Sequence, residues 1–451
     1  MKLNTKKITK WAFGIFVFLL PLHALIVTFF QCKLGVSTSI LRFWKEIFVV
    51  FFLIITFIKV LKENHGSLGK IYKGNNLIGV TTIFIIFSLI YIFFPYLEIK
   101  PSSLLGFKYD TFFFFCLIIG FYLTSIKENL NFIYKSIFIS TALILVVFLP
   151  WYMSGDIKST TKIFGYSDKV SFYESNECLS FSQNVDGHNR FQATFGGPIR
   201  FSVYLVIVYL IYLGYILDLK IKDKKKKYFA LIIPSIFVLI SIFFSYSKTS
   251  FLGLIFGGII FGYFINKFFY HKNLEKKYII GLSSAFAFLL LIVMYIKRDL
   301  FLHLGSMINR LDNLGKSIEM FFYNPIGYGL GIAGPATQIG RSIESAGGWE
   351  ISTASPYNVS KFLPENWFVQ ILLEQGIMGL IVFSGLLFLI GYYLFQIVKK
   401  EKTFLSIGIF TAFACIVFMG LFTHSFEESA TSYTLFLIIG AYISNNLKFK
   451  K

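Results

Sequence analysis

The side chains best suited to chemistry in this chain are a small set of fixed cations and one carboxylate. Arginine presents a planar fork that grips phosphate or carboxylate oxygens two at a time and never loses its charge. Only six of the 43 basic residues are arginine: Arg42, Arg190, Arg200, Arg298, Arg310 and Arg341. Arg190, Arg200, Arg298 and Arg310, with the isolated Lys248, are candidates for holding an anion. A structural ion-pair role is the alternative, above all for Arg42 and Arg341. Glu365 stands between Pro364 and Asn366. A carboxylate there suits the start of a helix, whose dipole favours negative charge. The chemistry in view is anion binding.

The elements that must position these residues are membrane helices. Of 451 residues, 56% are hydrophobic, 20% aromatic and only 15% charged, against about 25% charged in soluble domains. Apolar runs of about 20 residues recur, and lipid offers the backbone no hydrogen-bond partner, so the fold class is all-α, a polytopic integral membrane protein. The short alternating strands of a β-barrel are absent. The runs predict about twelve spans, near 11–30, 43–61, 77–96, 106–125, 132–152, 197–217, 228–246, 249–268, 278–296, 376–397, 404–422 and 430–446.

With Met1 inside, the inner connections carry 26 basic residues and the outer ones 17. The inner excess sits in short loops, which puts both termini in the cytoplasm. All 26 inner residues are lysine and all six arginines are outside. The run Lys220–Lys227 reads as a topology signal beside anionic headgroups, so the net charge of +20 does not imply nucleic acid. The apolar run Trp11–Phe30 is too long for a cleavable signal. Cys116 and Cys415 fall in apolar runs, whereas Cys32 and Cys178 face outward and are able to pair.

Two long polar connections lie outside: a first outer loop, 153–197, and a large ordered outer loop, 297–375, between the ninth and tenth spans. Ile332, Trp349, Phe362 and Trp367 give the second enough apolar surface to pack down. No internal repeat is visible, and no span carries an obvious acidic or basic relay, which counts against a transporter or pump.

Four motifs punctuate this frame. Asn189–Arg200 ends in Gly196-Gly197-Pro198, a tight turn into a helix whose free N–H groups favour an anion beside Arg190 and Arg200; an ordinary loop-to-helix junction is the alternative. Ser245–Leu254 places Lys248 in a very tight outer turn, as an anion contact or a snorkelling lysine. Asn324-Pro-Ile-Gly-Tyr-Gly-Leu-Gly331 has glycines spaced as in a phosphate loop, but no strand precedes it, so it reads as close backbone packing. Glu365-Asn366 starts an amphipathic helix that ends at Gly376.

These four motifs, in this order on this topology, resemble the O-antigen ligase/O-antigen polymerase family of membrane glycan polymerases and ligases. The likeness is sharpest over 310–380, through Arg310, Asn324–Gly331, Glu365-Asn366 and Leu373-Glu-Gln-Gly-Ile-Met-Gly-Leu380. Ligases have His-Asn where this chain has Glu365-Asn366, which favours polymerase; the second motif usually has arginine where this chain has Lys248. The resemblance implies an inverting, metal-independent glycosyltransferase without cofactors, acting at the outer face of an inner or plasma membrane. Its donor and acceptor would be undecaprenyl-diphosphate-linked glycans, with a flippase and a chain-length regulator as partners. Arg190, Arg310 and Lys248 would hold the diphosphate, with Arg200 and Arg298 in reserve. Glu365 would be the base, with His188 as runner-up. Trp349 and Trp367 would stack on sugars or else belong to the core. Ligase transfer to another acceptor, and glycan flipping, are the alternative activities.

The topology is testable by thiol labelling of intact cells. Gly340→Cys is expected to react with an impermeant reagent and Lys224→Cys to be protected; the reverse pattern would overturn the sidedness.

Overall fold

The computed structural model describes residues 5–37, 40–63, 76–94, 99–123, 127–155, 163–167, 182–185, 188–269, 304–337 and 364–447. Nearly every described element is a helix, and the protein is an all-α polytopic membrane protein. By length and composition, seven described helices are able to cross a membrane, and Asn76–Tyr91 and Phe404–Gly420 are apolar but shorter. Helices occupy every expected span except 278–296, which lies outside the described residues. The chain divides into two compact units.

The first unit comprises Met1–Phe48, Thr124–Phe301 and Leu394–Ile416. Its first helix, α1 (Thr5–Leu19), is followed by a 3-10 turn at Leu20–Leu22, because Pro21 has no N–H to continue the ladder. Helix α2 (Trp44–Glu63) begins in this unit and sends its Trp44 Nε1 to His23 Nδ1 at 2.9 Å. After α5 (Lys127–Ser154) come the paired strands β1 (Ser182–Val185) and β2 (His188–Phe191), in which Gln183 faces Arg190. Helix α6 (Pro198–Asp218) has Pro198 in its first turn, as expected. Asp223 caps α7 (Lys224–Ser245) by accepting from the Lys225 and Lys226 amides. Tyr246, in the left-handed region at φ 49°, closes α7 and turns the chain into α8 (Lys248–Phe269). The basic run has a structural member: Lys227 Nζ donates to the Leu217 carbonyl at 2.8 Å. Beside it Asp218 accepts from the first amides of α11 (Phe404–Gly420), at 3.0 and 2.7 Å. Cys32 is disulfide-bonded; Cys178 lies outside the described residues, and Cys116 and Cys415 are buried free thiols.

The second unit comprises Val49–Leu123, Leu302–Tyr393 and Val417–Lys451. It holds α3 (Asn76–Tyr91), α4 (Pro101–Leu123), α9 (Leu304–Tyr323), most of α10 (Trp367–Glu401) and α12 (Ser429–Asn446). Its core is the pairing of α4 with α12. Two small residues let these backbones touch: a Cβ on Gly440 would lie 2.0 Å from the Leu117 carbonyl oxygen, and one on Gly120 would lie 2.2 Å from that of Leu437. Membrane helices pack this way because lipid supplies no hydrophobic drive between them, so close contact must. The stretch 297–375 contains structure of its own: helix α9, and the first nine residues of α10.

The packing predicts unequal responses to adding one methyl group. Gly440→Ala, against backbone, is expected to lose about 1–3 kcal/mol and lower the detergent-solubilised unfolding midpoint. Gly385→Ala, with nothing within 4 Å, is expected to leave it unchanged or higher. Equal midpoints would remove the close contact from the account.

Candidate functional site

In the first unit the hairpin brings the first two motifs together. Arg190, in β2, is half-buried, and its Nε donates at 2.9 Å to the carbonyl of Ser245, the last residue of α7. Ser250 links the segments again: its Oγ lies 2.6 Å from Ser202 Oγ on α6 and 3.0 Å from Ser247 Oγ. The loop is pinned below by Thr194 Oγ1, which donates to Pro21 O at 2.6 Å, the carbonyl at the break after α1. Tyr166 donates to Ala193 O at 3.3 Å, and burial raises its phenol above the ordinary value, so it remains a hydroxyl donor. Tyr152 donates to Asn189 O. Arg200, in the first turn of α6, and Lys248, the first residue of α8, are both half-buried. Gly197 gives α6 no side-chain cap, so the first-turn amides there keep their affinity for an anion. The backbone of His188 is in β2, while its side chain and all of Arg298 lie outside the described residues.

In the second unit the third and fourth motifs form one body. Helix α10 breaks at Gly376, whose φ of 67° and ψ of −169° are not helical. A broken helix leaves carbonyls without partners on one side and amides on the other. The glycine loop supplies both. Tyr328 N donates to Leu373 O at 2.8 Å, Gly329 N to Glu374 O at 3.0 Å, and Ile377 N to Pro325 O at 3.1 Å. The approach is too close for side chains: a Cβ on Gly376 would lie 2.2 Å from Ile326 O, and one on Gly331 would lie 2.1 Å from Ser102 O. The reading of Asn324–Gly331 as close backbone packing is what the geometry shows. Tyr328 is raised above its ordinary value by burial and then by Tyr323, and donates to Met320 O at 2.8 Å.

Arg310 and Glu365, 55 residues apart, meet here as an ion pair between Arg310 Nε and Glu365 Oε2. Their side chains are 33% and 40% exposed, so the pair is open to solvent at one side. Glu365 is not the helix cap. That role belongs to Asn366, whose Oδ1 accepts from the Phe368 and Val369 amides at 2.9 and 3.1 Å, while Nδ2 donates to Leu421 O at 2.9 Å. Trp367 is fully buried among Phe113, His424 and Phe426, so its ring belongs to the core and presents no face for a sugar.

The same unit holds a buried polar cluster that was not singled out in the sequence. Asp110 on α4 and Gln370, Glu374 and Gln375 on α10 are all fully buried. Asp110 accepts from Gln375 Nε2 at 2.8 Å and Gln370 Nε2 at 3.3 Å, and Ser88 Oγ donates to Gln375 Oε1 at 2.9 Å. Glu374 Oε1 accepts from the Gly331 and Ala333 amides at 3.0 and 3.1 Å, and its side chain is in contact with Asp110. One signal was present: Gln370 and Glu374 are four apart, on one face of a helix. No group of three or more His, Cys, Asp or Glu among the described residues is arranged to hold a metal ion.

No curated protein matches the chain significantly. Residues 233–384 match the family model described as O-antigen ligase. The matched stretch contains Lys248, Arg310, the glycine loop, Glu365-Asn366 and Glu374. Over this stretch, about a third of its length, the chain is similar to the O-antigen ligase family.

Proposed function

We propose that the protein is a polysaccharide polymerase that joins undecaprenyl-diphosphate-linked repeat units at the outer face of an inner or plasma membrane, with about twelve spans and both termini cytoplasmic. The observation that carries this reading is the Arg310–Glu365 pair at the head of α10. It sets a carboxylate, half-exposed and held in place, where the family's ligases have histidine.

The reaction needs no metal ion in this reading. The acceptor's hydroxyl oxygen bonds to the anomeric carbon of the donor while the bond from that carbon to the diphosphate oxygen breaks. Glu365 takes the hydroxyl proton, the diphosphate leaves with the bonding pair, and the anomeric configuration inverts. Arg310 orients Glu365 through Nε, and the rest of its five-donor fork suits a phosphate oxygen. Arg190, Lys248 and Arg200, in the first unit, are candidate cations for the negative charge of a diphosphate. Fixed cations stabilise that charge more in the transition state than in the ground state. Arg298 and His188 stay in reserve as cation and base.

A ligase is the second reading, favoured by the description of the matching family model. A deletion strain separates the two: single repeats on an otherwise intact anchor mean polymerase, and long chains stranded on the lipid carrier mean ligase.

Residue tests follow from the magnitudes. A partly exposed ion pair contributes about 0–1 kcal/mol, whereas a general base contributes about 10²–10⁴-fold. Glu365→Gln is therefore expected to fold and to lose chain extension, and Glu365→His to keep part of it through a neutral imidazole. Chain-length ladders at matched protein level measure both, and wild-type ladders from Glu365→Gln would move the base to His188. Arg190→Lys keeps the charge but not the fork, and is expected to impair extension strongly. Lys248→Arg is expected to be tolerated. Full activity of Arg190→Ala would remove Arg190 from the site.

A further inference from the structure

Two acids buried inside apolar helices need a reason. Asp110 and Glu374 are fully buried, so neither touches a substrate, and acids inside membrane helices are costly. Their hydrogen bonds run along one segment, Trp367–Gln375, from Gln370 to Gln375. That segment has Glu365 and Asn366 at its head and the Gly376 break at its foot, about 13 Å apart at 1.5 Å per residue. The break removes the continuous ladder that would otherwise fix the segment's rotation. A one-residue slip turns a helix by about 100°, which would carry Glu365 away from Arg310. The glycine loop is the other side of the same contact: it follows α9, which carries Arg310, and its Gly331 and Ala333 amides both end on Glu374 Oε1.

We propose that Glu374, braced by Asp110, is a positioning residue that sets the rotation of Trp367–Gln375 against the glycine loop and so holds Glu365 on Arg310. What matters is the reach and the acceptor oxygen. Gln at 374 keeps an oxygen for the two amides and turns an NH2 toward Asp110, an acceptor. Asp keeps the carboxyl group but is one methylene short and leaves at least one amide without a partner.

The test reads the register directly. Arg310→Cys and Glu365→Cys are introduced together and joined in membranes by a short bifunctional thiol reagent; the native thiols Cys116 and Cys415 are buried. Adding Glu374→Gln is expected to leave the cross-linking yield within about twofold, and adding Glu374→Asp to lower it about tenfold. In chains with native Arg310 and Glu365, Glu374→Asp is expected to lower kcat for extension about a hundredfold, the cost of a misplacement of about 1 Å. The donor KM should stay within about threefold and Glu374→Gln should rescue kcat. An unchanged yield in Glu374→Asp, or an equal loss in Glu374→Gln, in protein that elutes from detergent as the parent does, overturns the proposal. Should Glu374→Asp not fold, Asp110→Asn replaces it: a reduced yield supports the brace and an unchanged one overturns it. The kinetic arm rests on the glycan-transfer reading and the cross-linking arm does not. If the parent extends no chains, that reading falls while the yields still decide the positioning.

Discussion

A helix that stops inside a membrane protein must find partners for the backbone groups it releases, because lipid provides none. The second unit is organised by that constraint at Gly376. The carbonyls of Leu373 and Glu374 and the amide of Ile377 are all taken by the loop that follows α9. The loop must then run backbone to backbone with the break, and only glycine fits at the contact points. Its larger side chains, Tyr328, Leu330 and Ala333, are driven into two small apolar clusters with Leu373, Met320, Tyr91 and Ile92. Glycine spacing, the break and the local cores are thus consequences of one hydrogen-bond requirement.

The first unit answers a similar requirement with side chains. Three side chains around its hairpin end on backbone carbonyls: Thr194 on Pro21, Tyr166 on Ala193, Arg190 on Ser245. An arginine that gives Nε to a backbone carbonyl has the plane of its guanidinium held at a fixed angle.

Much of the architecture was legible because membrane spans declare themselves by length and apolarity, and the helix end expected at Gly376 is where α10 breaks. Arg310 and Glu365 were visible as chemical types, but their pairing joins residues 55 apart and no local pattern encodes it. The capping role went to Asn366 and not Glu365, a difference of one residue that helix-dipole reasoning does not resolve. Helix α9 was read as loop because Gly305, Asn309, Asn313 and Gly315 dilute its apolar signal. The hairpin was missed although Asp186-Gly187, a dipeptide that favours two-residue hairpin turns, stands between its strands. Asp110 escaped notice because one acid among Phe113, Phe114 and their apolar neighbours looks the same in sequence whether it faces lipid, water or a glutamine.

The break at Gly376 also bears on bilayer thickness. Unbroken, α10 at 35 residues would extend about 52 Å, far beyond a hydrocarbon slab of about 30 Å. Beginning at Ile377 it runs about 37 Å to Glu401, a length that a modest tilt accommodates. The glycine thus divides a helix too long for one crossing into a nine-residue segment, with Glu365 at its head, and a following segment of a length suited to a single crossing.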